Sequence, residues 1–195
     1  MKKIYIILTY TGTALSKIIK CYTGDEFSHV SIALDSKLSK MYSFGRLNPY
    51  NPFWGGFVHE RINSGTFKRF PKTRAKIYSL EIEDEKYEKL KYIIMYIEKM
   101  KKNYKFNILG LFAVGFKIKI KADKSFYCAE FVKYVLEEAK IEEKLPELIK
   151  PEDFKKIKNL KLEYYGLLKS YKIYPNNIFI EDNKTIKNKI EQKLD

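Results

Sequence analysis

An amphipathic helix predicted over residues 125–140 sets the first condition on the fold, because its apolar face must be covered. Cys128, Phe131 and Val132 recur at helical spacing on that face. We take Ser125 as the N-cap, which puts Cys128 in the first turn. The partial positive charge of a helix N-terminus favours a thiolate, the form of cysteine that attacks carbonyl carbons. The same helix is therefore predicted to cover part of the core and to present a candidate nucleophile.

The remaining apolar pattern predicts several short strands and two further helices. Helical spacing predicts helices over residues 14–22, with Thr13 as N-cap, and over residues 84–100. Residues 45–56, which hold prolines, asparagines and glycines, are predicted as a loop, and the type of residues 103–120 stays open. Strands are predicted at residues 4–9, 29–34, 40–44, 57–62 and 75–82, with a final strand pair at residues 164–174.

The chain length predicts one domain with a full core. The chain has 195 residues, of which 45% are hydrophobic. We expect the domain over residues 1–175. Residues 176–195 are polar and rich in lysine, which predicts a tail that is helical or partly disordered.

The charge of the chain predicts attraction to anions. Lys and Arg number 38 against 24 Asp and Glu, a formal net charge of +14. Such a surplus suits an anionic surface, an acidic membrane or nucleic acid. The lysines are scattered rather than clustered, so no specific nucleic acid is expected, and a compositional bias explains the charge equally well.

The cysteines and the N-terminus favour a reducing, cytoplasmic setting. Cys21 and Cys128 are the two cysteines, too few for a disulfide scaffold. Cys21 closes the first predicted helix and is predicted to be a small buried hydrophobe. The apolar run that follows Met1-Lys2-Lys3 stops after five residues, short of a signal peptide. No apolar run approaches the length of a membrane span.

A histidine far upstream is the candidate partner of the thiol. His29 is one of two histidines and begins a predicted strand. Histidine takes and returns protons near neutral pH, as a thiol nucleophile requires. Considered separately, a packed thiol at Cys128 and a structural histidine at His29 stay open as alternatives.

These segments together resemble the circularly permuted papain-like branch of the NlpC superfamily, which includes the YiiX- and YycO-type bacterial proteins and, more remotely, the lecithin:retinol acyltransferases. The resemblance runs in order along residues 4–172. It is carried by Ser-His-Val at residues 28–30, Tyr-Cys-Ala-Glu-Phe-Val at residues 127–132, Pro-Glu-Asp-Phe at residues 151–154, and Tyr-Gly at residues 165–166.

The resemblance implies an α+β, circularly permuted papain-like fold, in which an antiparallel sheet packs against the cysteine-bearing helix. Cys128 would be the nucleophile, His29 the base, and the Cys128 backbone N–H a donor to the oxyanion. The implied reaction is hydrolysis of a peptide or peptidoglycan-type amide through a thioacyl intermediate, without a cofactor. A lipid acyl hydrolase or acyltransferase stays open, as does a catalytically decayed module that binds an anionic ligand.

The third catalytic position departs from the family pattern. Relatives often carry a carboxylate, amide or imidazole on the strand after the histidine, and Ser43 stands at the matching place. Glu60 is a rival for the same role.

Substrate contacts are expected from Tyr127, Trp54 and Arg46. Trp54 lies in an aromatic, glycine-rich stretch that either lines a cleft or folds over the core. Arg46 and Arg61 flank that stretch and suit an anionic substrate, although a solvated basic surface is equally compatible with them. Asp25, Glu26, His29 and His59 lack any standard metal-ligand spacing, so no metal site is predicted.

Overall fold

The computed structural model describes residues 1–48, 51–116, 118, 120 and 123–171, with the backbone alone at residues 51–53 and 115. The predicted tail at residues 176–195 lies outside the described residues, as do the last residues of the predicted domain, 172–175.

Strands of the described residues form one antiparallel sheet and one small parallel pair. The sheet has six strands in the order β4-β3-β2-β1-β5-β8, and β6 pairs with β7. The strands are β1 (Lys2–Tyr10), β2 (His29–Ala33), β3 (Met41–Asn48), β4 (Asn51–Glu60), β5 (Arg74–Ile82), β6 (Lys105–Phe106), β7 (Ser125–Phe126) and β8 (Lys161–Leu167).

Helices complete an α+β architecture, which confirms the predicted class as far as α+β with an antiparallel sheet. Those in the described residues are α1 (Ala14–Thr23), α2 (Gly65–Arg69), α3 (Asp84–Lys99), α4 (Ile108–Ala113) and α5 (Cys128–Glu138). Pro151–Lys156 and Leu168–Ser170 are 3-10 helices. Within the described ranges, no helix combines the length and the apolar character that a membrane span requires.

The sheet separates two apolar layers. Ile4, Ile6 and Leu8 of β1 pack on the side of α3 and α5. Tyr5 and Ile7 of the same strand pack on the other side, which α2 covers in part. Successive side chains of a strand point to opposite faces, so the uninterrupted apolar run of β1 follows from its burial on both faces.

Helix starts were predicted with mixed success. Thr13 caps α1 as expected, since its hydroxyl accepts a hydrogen bond from the Ser16 backbone N–H at 3.3 Å. Ser125 is not the cap of α5, because it lies in β7 and Tyr127 takes the N-cap position. Cys128 is therefore the first residue of the helix.

The prediction of a loop at residues 45–56 is wrong. β3 continues to Asn48, and β4 begins at Asn51, so residues 45–48 and 51–56 belong to two paired strands. Gly55 explains the mismatch: a Cβ there would lie 2.6 Å from the Phe106 ring and 2.9 Å from the Gly45 carbonyl oxygen. Glycine is present because the chains approach closely, not because the backbone turns.

Two smaller predictions also need correction. Cys21 is exposed rather than buried, because α1 turns Ser16 and Ile19 toward the core. The predicted final strand pair is represented by β8 alone, which pairs with β5. Leu168–Ser170, which that prediction also covers, form a 3-10 helix, and residues 172–174 lie outside the described residues.

Candidate active site

A small pocket lies where β2 and β3 meet the first turn of α5. Its volume is about 60 Å³, and His29, Gly45, Glu60 and Cys128 are among the residues that line it. The structure therefore brings the predicted pair, Cys128 and His29, to one pocket, together with the rival third residue, Glu60.

Cys128 is a free thiol that is only 3% exposed. The start of its helix is fixed by Glu130, whose carboxylate accepts a hydrogen bond from the Tyr127 backbone N–H at 3.0 Å. The Asn107 side-chain amide donates to the same carboxylate at 3.2 Å. The backbone N–H groups of a first helical turn have no partner within the helix, so the Cys128 N–H is a candidate donor to a bound oxygen.

His29 lies between Glu60 and Cys128. Its Nε2 is 3.0 Å from Glu60 Oε1 and 3.2 Å from Glu60 Oε2. Its imidazole also interacts electrostatically with the Cys128 side chain, which lines the same pocket. Because Glu60 occupies Nε2, Nδ1 is the ring nitrogen that stays available to another partner.

The charges of Glu60, His29 and Cys128 influence one another. Burial disfavours the protonated imidazole, but the negative charges of Glu60 and Cys128 outweigh burial and raise the pKa of His29 to about 10. Burial also opposes ionisation of Glu60, yet His29, Ser31 and Arg46 lower the pKa of that carboxyl. The favoured state is an imidazolium held against a carboxylate.

Ser31 is a site residue that the sequence interpretation missed. Its hydroxyl donates to Glu60 Oε2 and lies 3.4 Å from His29 Nε2. Residues two apart on a strand share a face, so a serine two positions after the histidine was a usable signal. Ser31 fixes the position of the Glu60 carboxylate, which in turn fixes the His29 imidazole.

The expectation for Ser43 is corrected by its hydrogen bonds. Ser43 is fully buried, and its hydroxyl donates to the Val30 carbonyl at 2.7 Å. Glu60 occupies the place beside the imidazole instead. The side chains described within hydrogen-bonding distance of His29 Nε2 are those of Glu60 and Ser31.

Of the three residues expected to contact a substrate, only Arg46 is placed to do so at this pocket. Arg46 lines the pocket, and its charge acts on Glu60. Tyr127 does not present its hydroxyl to a substrate, because it is 2% exposed and donates to the Ile149 carbonyl at 2.9 Å. Burial raises the pKa of that hydroxyl, which stays neutral. Trp54 is 60% exposed, and the residues described as lining the pocket do not include it.

The residues that were considered as metal ligands pair with other side chains. His59 Nε2 pairs with Glu98 Oε1 at 3.1 Å, and Asp25 Oδ2 pairs with Lys150 Nζ at 2.8 Å. Among the described residues, no group of three or more His, Cys, Asp or Glu side chains is arranged to hold a metal ion.

The site holds the groups that acyl transfer needs. Cys128 supplies a thiol, His29 an imidazole for proton transfer, and Glu60 a carboxylate that orients the imidazole. A thiol, a base and an orienting group in contact form the general arrangement of covalent hydrolases. Comparison of the chain with protein-family models, with curated proteins and with solved structures returns no match.

Proposed function

We propose that this chain is a cysteine hydrolase of the circularly permuted papain-like class, with Cys128 as nucleophile and His29 as the proton carrier. The observation that supports this most strongly is that Glu60, His29 and Cys128 line one pocket, where Glu60 holds the His29 imidazole and Cys128 interacts with it electrostatically. Glu60 replaces Ser43 as the third residue in this proposal.

The first half of the reaction forms a thioacyl intermediate. The Cys128 sulfur attacks the substrate carbonyl carbon, and its proton is held by His29. The carbonyl oxygen gains negative charge, and the Cys128 backbone N–H stabilises it. When the carbon–nitrogen bond of an amide breaks, His29 gives the proton to the leaving nitrogen.

The second half restores the enzyme. His29, now neutral, takes a proton from a water molecule that attacks the thioacyl carbon. The carbon–sulfur bond breaks, the acid is released, and the proton returns to the Cys128–His29 pair. Glu60 and Ser31 act on the imidazole throughout, since they hold its ring plane and stabilise its charged form.

The resemblance implies the substrate class in this proposal, a peptide or peptidoglycan-type amide. A lipid acyl substrate is the second candidate. We also propose a reducing, cytoplasmic setting, which would keep Cys128 as a free thiol.

Alkylation by iodoacetamide tests the proposal, with each thiol followed by mass spectrometry. An ordinary thiol reacts slowly at pH 6, because little of it is thiolate. We expect Cys128 to react at least about tenfold faster than Cys21 at pH 6, because the His29 imidazolium stabilises its thiolate. Exposed Cys21 is the internal reference for an ordinary thiol.

The variant His29→Ala should abolish this advantage, whereas Ser43→Ala should leave it unchanged. If Cys128 reacts no faster than Cys21 and is indifferent to His29, the hydrolase proposal is wrong. The site would then be better described as a decayed binding module.

A further inference from the structure

A second, larger pocket adjoins the candidate active site. Its volume is about 290 Å³, and it lies between the β3–β4 hairpin and α2. Arg46, Glu60, Thr66 and Phe67 line both pockets. The two pockets therefore share a wall made by these four side chains.

The larger pocket is basic. Arg46, Arg61 and Lys101 line it, and we call it the basic pocket. Its two other ionisable residues are each paired, His59 with Glu98 and Glu60 with His29. The cations of Arg46, Arg61 and Lys101 therefore exceed the anions that face them.

Arg46 is the most constrained of these cations. Its guanidinium is partly buried and lies 5.7 Å from the centre of the Phe70 ring. Burial and the positive charge of Arg69 lower the pKa of Arg46, while Glu60 opposes that effect. A bound anion would offset both the burial of the Arg46 charge and its repulsion by Arg69.

We propose that the basic pocket binds a carboxylate on the substrate, one residue away from the scissile carbonyl. This inference rests on the proposed hydrolase function and names its substrate class: acyl compounds or peptides with an acidic side chain beside the cleaved bond. Arginine matches a carboxylate through two parallel hydrogen bonds, which gives orientation as well as attraction.

The shape of the pocket favours a single small anion over an extended one. A volume of 290 Å³ is at the lower end for ligand pockets and suits one side chain. Nucleic acid and a membrane surface are instead bound by broad, open patches of charge. A phosphate monoester shares the chemistry of a carboxylate at this site, so the test separates the two anions.

Three thiol-directed reagents provide the test: the chloroacetyl derivatives of glutamate amide, glutamine amide and phosphoserine amide. The first two have nearly the same shape and differ in charge. Mass spectrometry gives the rate at Cys128 and, within the same chain, at the reference thiol Cys21. We expect the glutamate reagent to modify Cys128 about tenfold faster than the glutamine reagent, with a ratio at Cys21 near one.

Arg61→Gln is the main variant, because Arg61 is exposed and lines the basic pocket without touching the catalytic group. We expect it to reduce the glutamate-to-glutamine rate ratio at Cys128 about fivefold. Lys89→Gln is the matched control, since it removes one positive charge from the exposed surface of α3 and should leave the ratio unchanged.

The outcomes separate this inference from the proposal on which it rests. Equal, rapid modification of Cys128 by all three reagents would overturn the carboxylate subsite and leave the hydrolase standing. Modification no faster than at Cys21, unchanged by His29→Ala, would remove the hydrolase and the subsite together. A phosphoserine reagent faster than the glutamate reagent would overturn the carboxylate assignment in favour of a phosphate monoester.

Discussion

At the scale of single residues, the candidate site depends on which group holds His29. The imidazole on β2 and the Glu60 carboxylate on β4 meet beside Gly45 of the intervening strand β3: a Cβ there would lie 3.5 Å from His29 Cε1 and 3.9 Å from Glu60 Oε1. These are ordinary contact distances, so the meeting of the two groups depends on how the strands are placed.

Replacing Glu60 with Gln should lower the pKa of His29 markedly, because the negative charge of Glu60 is the leading cause that raises it. NMR titration of the two histidines measures the effect, with the variant His59→Gln to assign the signals. Ser43→Ala is the matched comparison and should leave the His29 titration unchanged, since the Ser43 hydroxyl donates to Val30. A shift in Ser43→Ala as large as in Glu60→Gln would contradict this assignment.

The sequence was enough to predict that Cys128 and His29 would lie at one site, but it was not enough to predict which residue holds His29. Cys128 and His29 stand in short segments whose residue types carry the chemistry. Glu60 is 31 positions from His29, and the choice between Glu60 and Ser43 depends on which of them faces the ring. That facing is set by strand register, which no local pattern reveals.

At the scale of elements, the β3–β4 hairpin carries Glu60 and contacts β6 through its glycines. Gly55→Ala should destabilise the protein by about 1–3 kcal/mol, because a methyl group there overlaps the Phe106 ring and the Gly45 carbonyl. Gly45→Ala is the control: its nearest neighbours would be 3.5 Å away, an ordinary contact, so a change below about 0.5 kcal/mol is expected. Urea unfolding measures both. If the two variants lose the same free energy of unfolding, the close approach of Phe106 is not the reason for glycine at position 55.

The start of α5 depends on one carboxylate that the sequence analysis did not single out. Glu130→Ala removes the acceptor for the Tyr127 N–H and the Asn107 amide, so we expect a loss of about 1–2 kcal/mol in the free energy of unfolding. Glu138→Ala, at the exposed C-terminal end of the same helix, should cost less than about 0.5 kcal/mol. Comparable losses in the two variants would show that the N-terminal contacts contribute little.

At the scale of the whole molecule, the sheet order explains what the sequence could and could not reveal. Four elements, β1, β2, β5 and α3, follow from local periodicity and were predicted nearly to their ends. The central position of β1, the pairing of β5 with β8 and the closeness of β4 to β6 are long-range contacts. Such contacts decide where the two pockets lie, and they produce no periodic pattern in the sequence from which they could be predicted.

The coupling of His29 and Glu60 should also appear in the stability of the whole protein. The lowered pKa of Glu60 gives a contribution that is present above about pH 4.3, its unfolded value, and is lost as the pH falls through the folded pKa. The raised pKa of His29 gives a contribution that is complete below about pH 6.5 and is lost as the pH rises toward its folded value of about 10. Stability from the pair is therefore greatest between about pH 4.5 and 6.5.

The difference in unfolding free energy between the wild type and Glu60→Gln isolates this contribution, because the other titrating groups largely cancel. We expect the wild-type advantage to be largest near pH 6 and to shrink by an amount on the order of 2 kcal/mol by pH 10. Urea unfolding at fixed temperature across this range measures it, with Glu138→Ala as a variant whose difference from the wild type should not change with pH. An advantage of Glu60 that is constant, or that grows toward pH 10, would mean that His29 is not held as an imidazolium by this carboxylate.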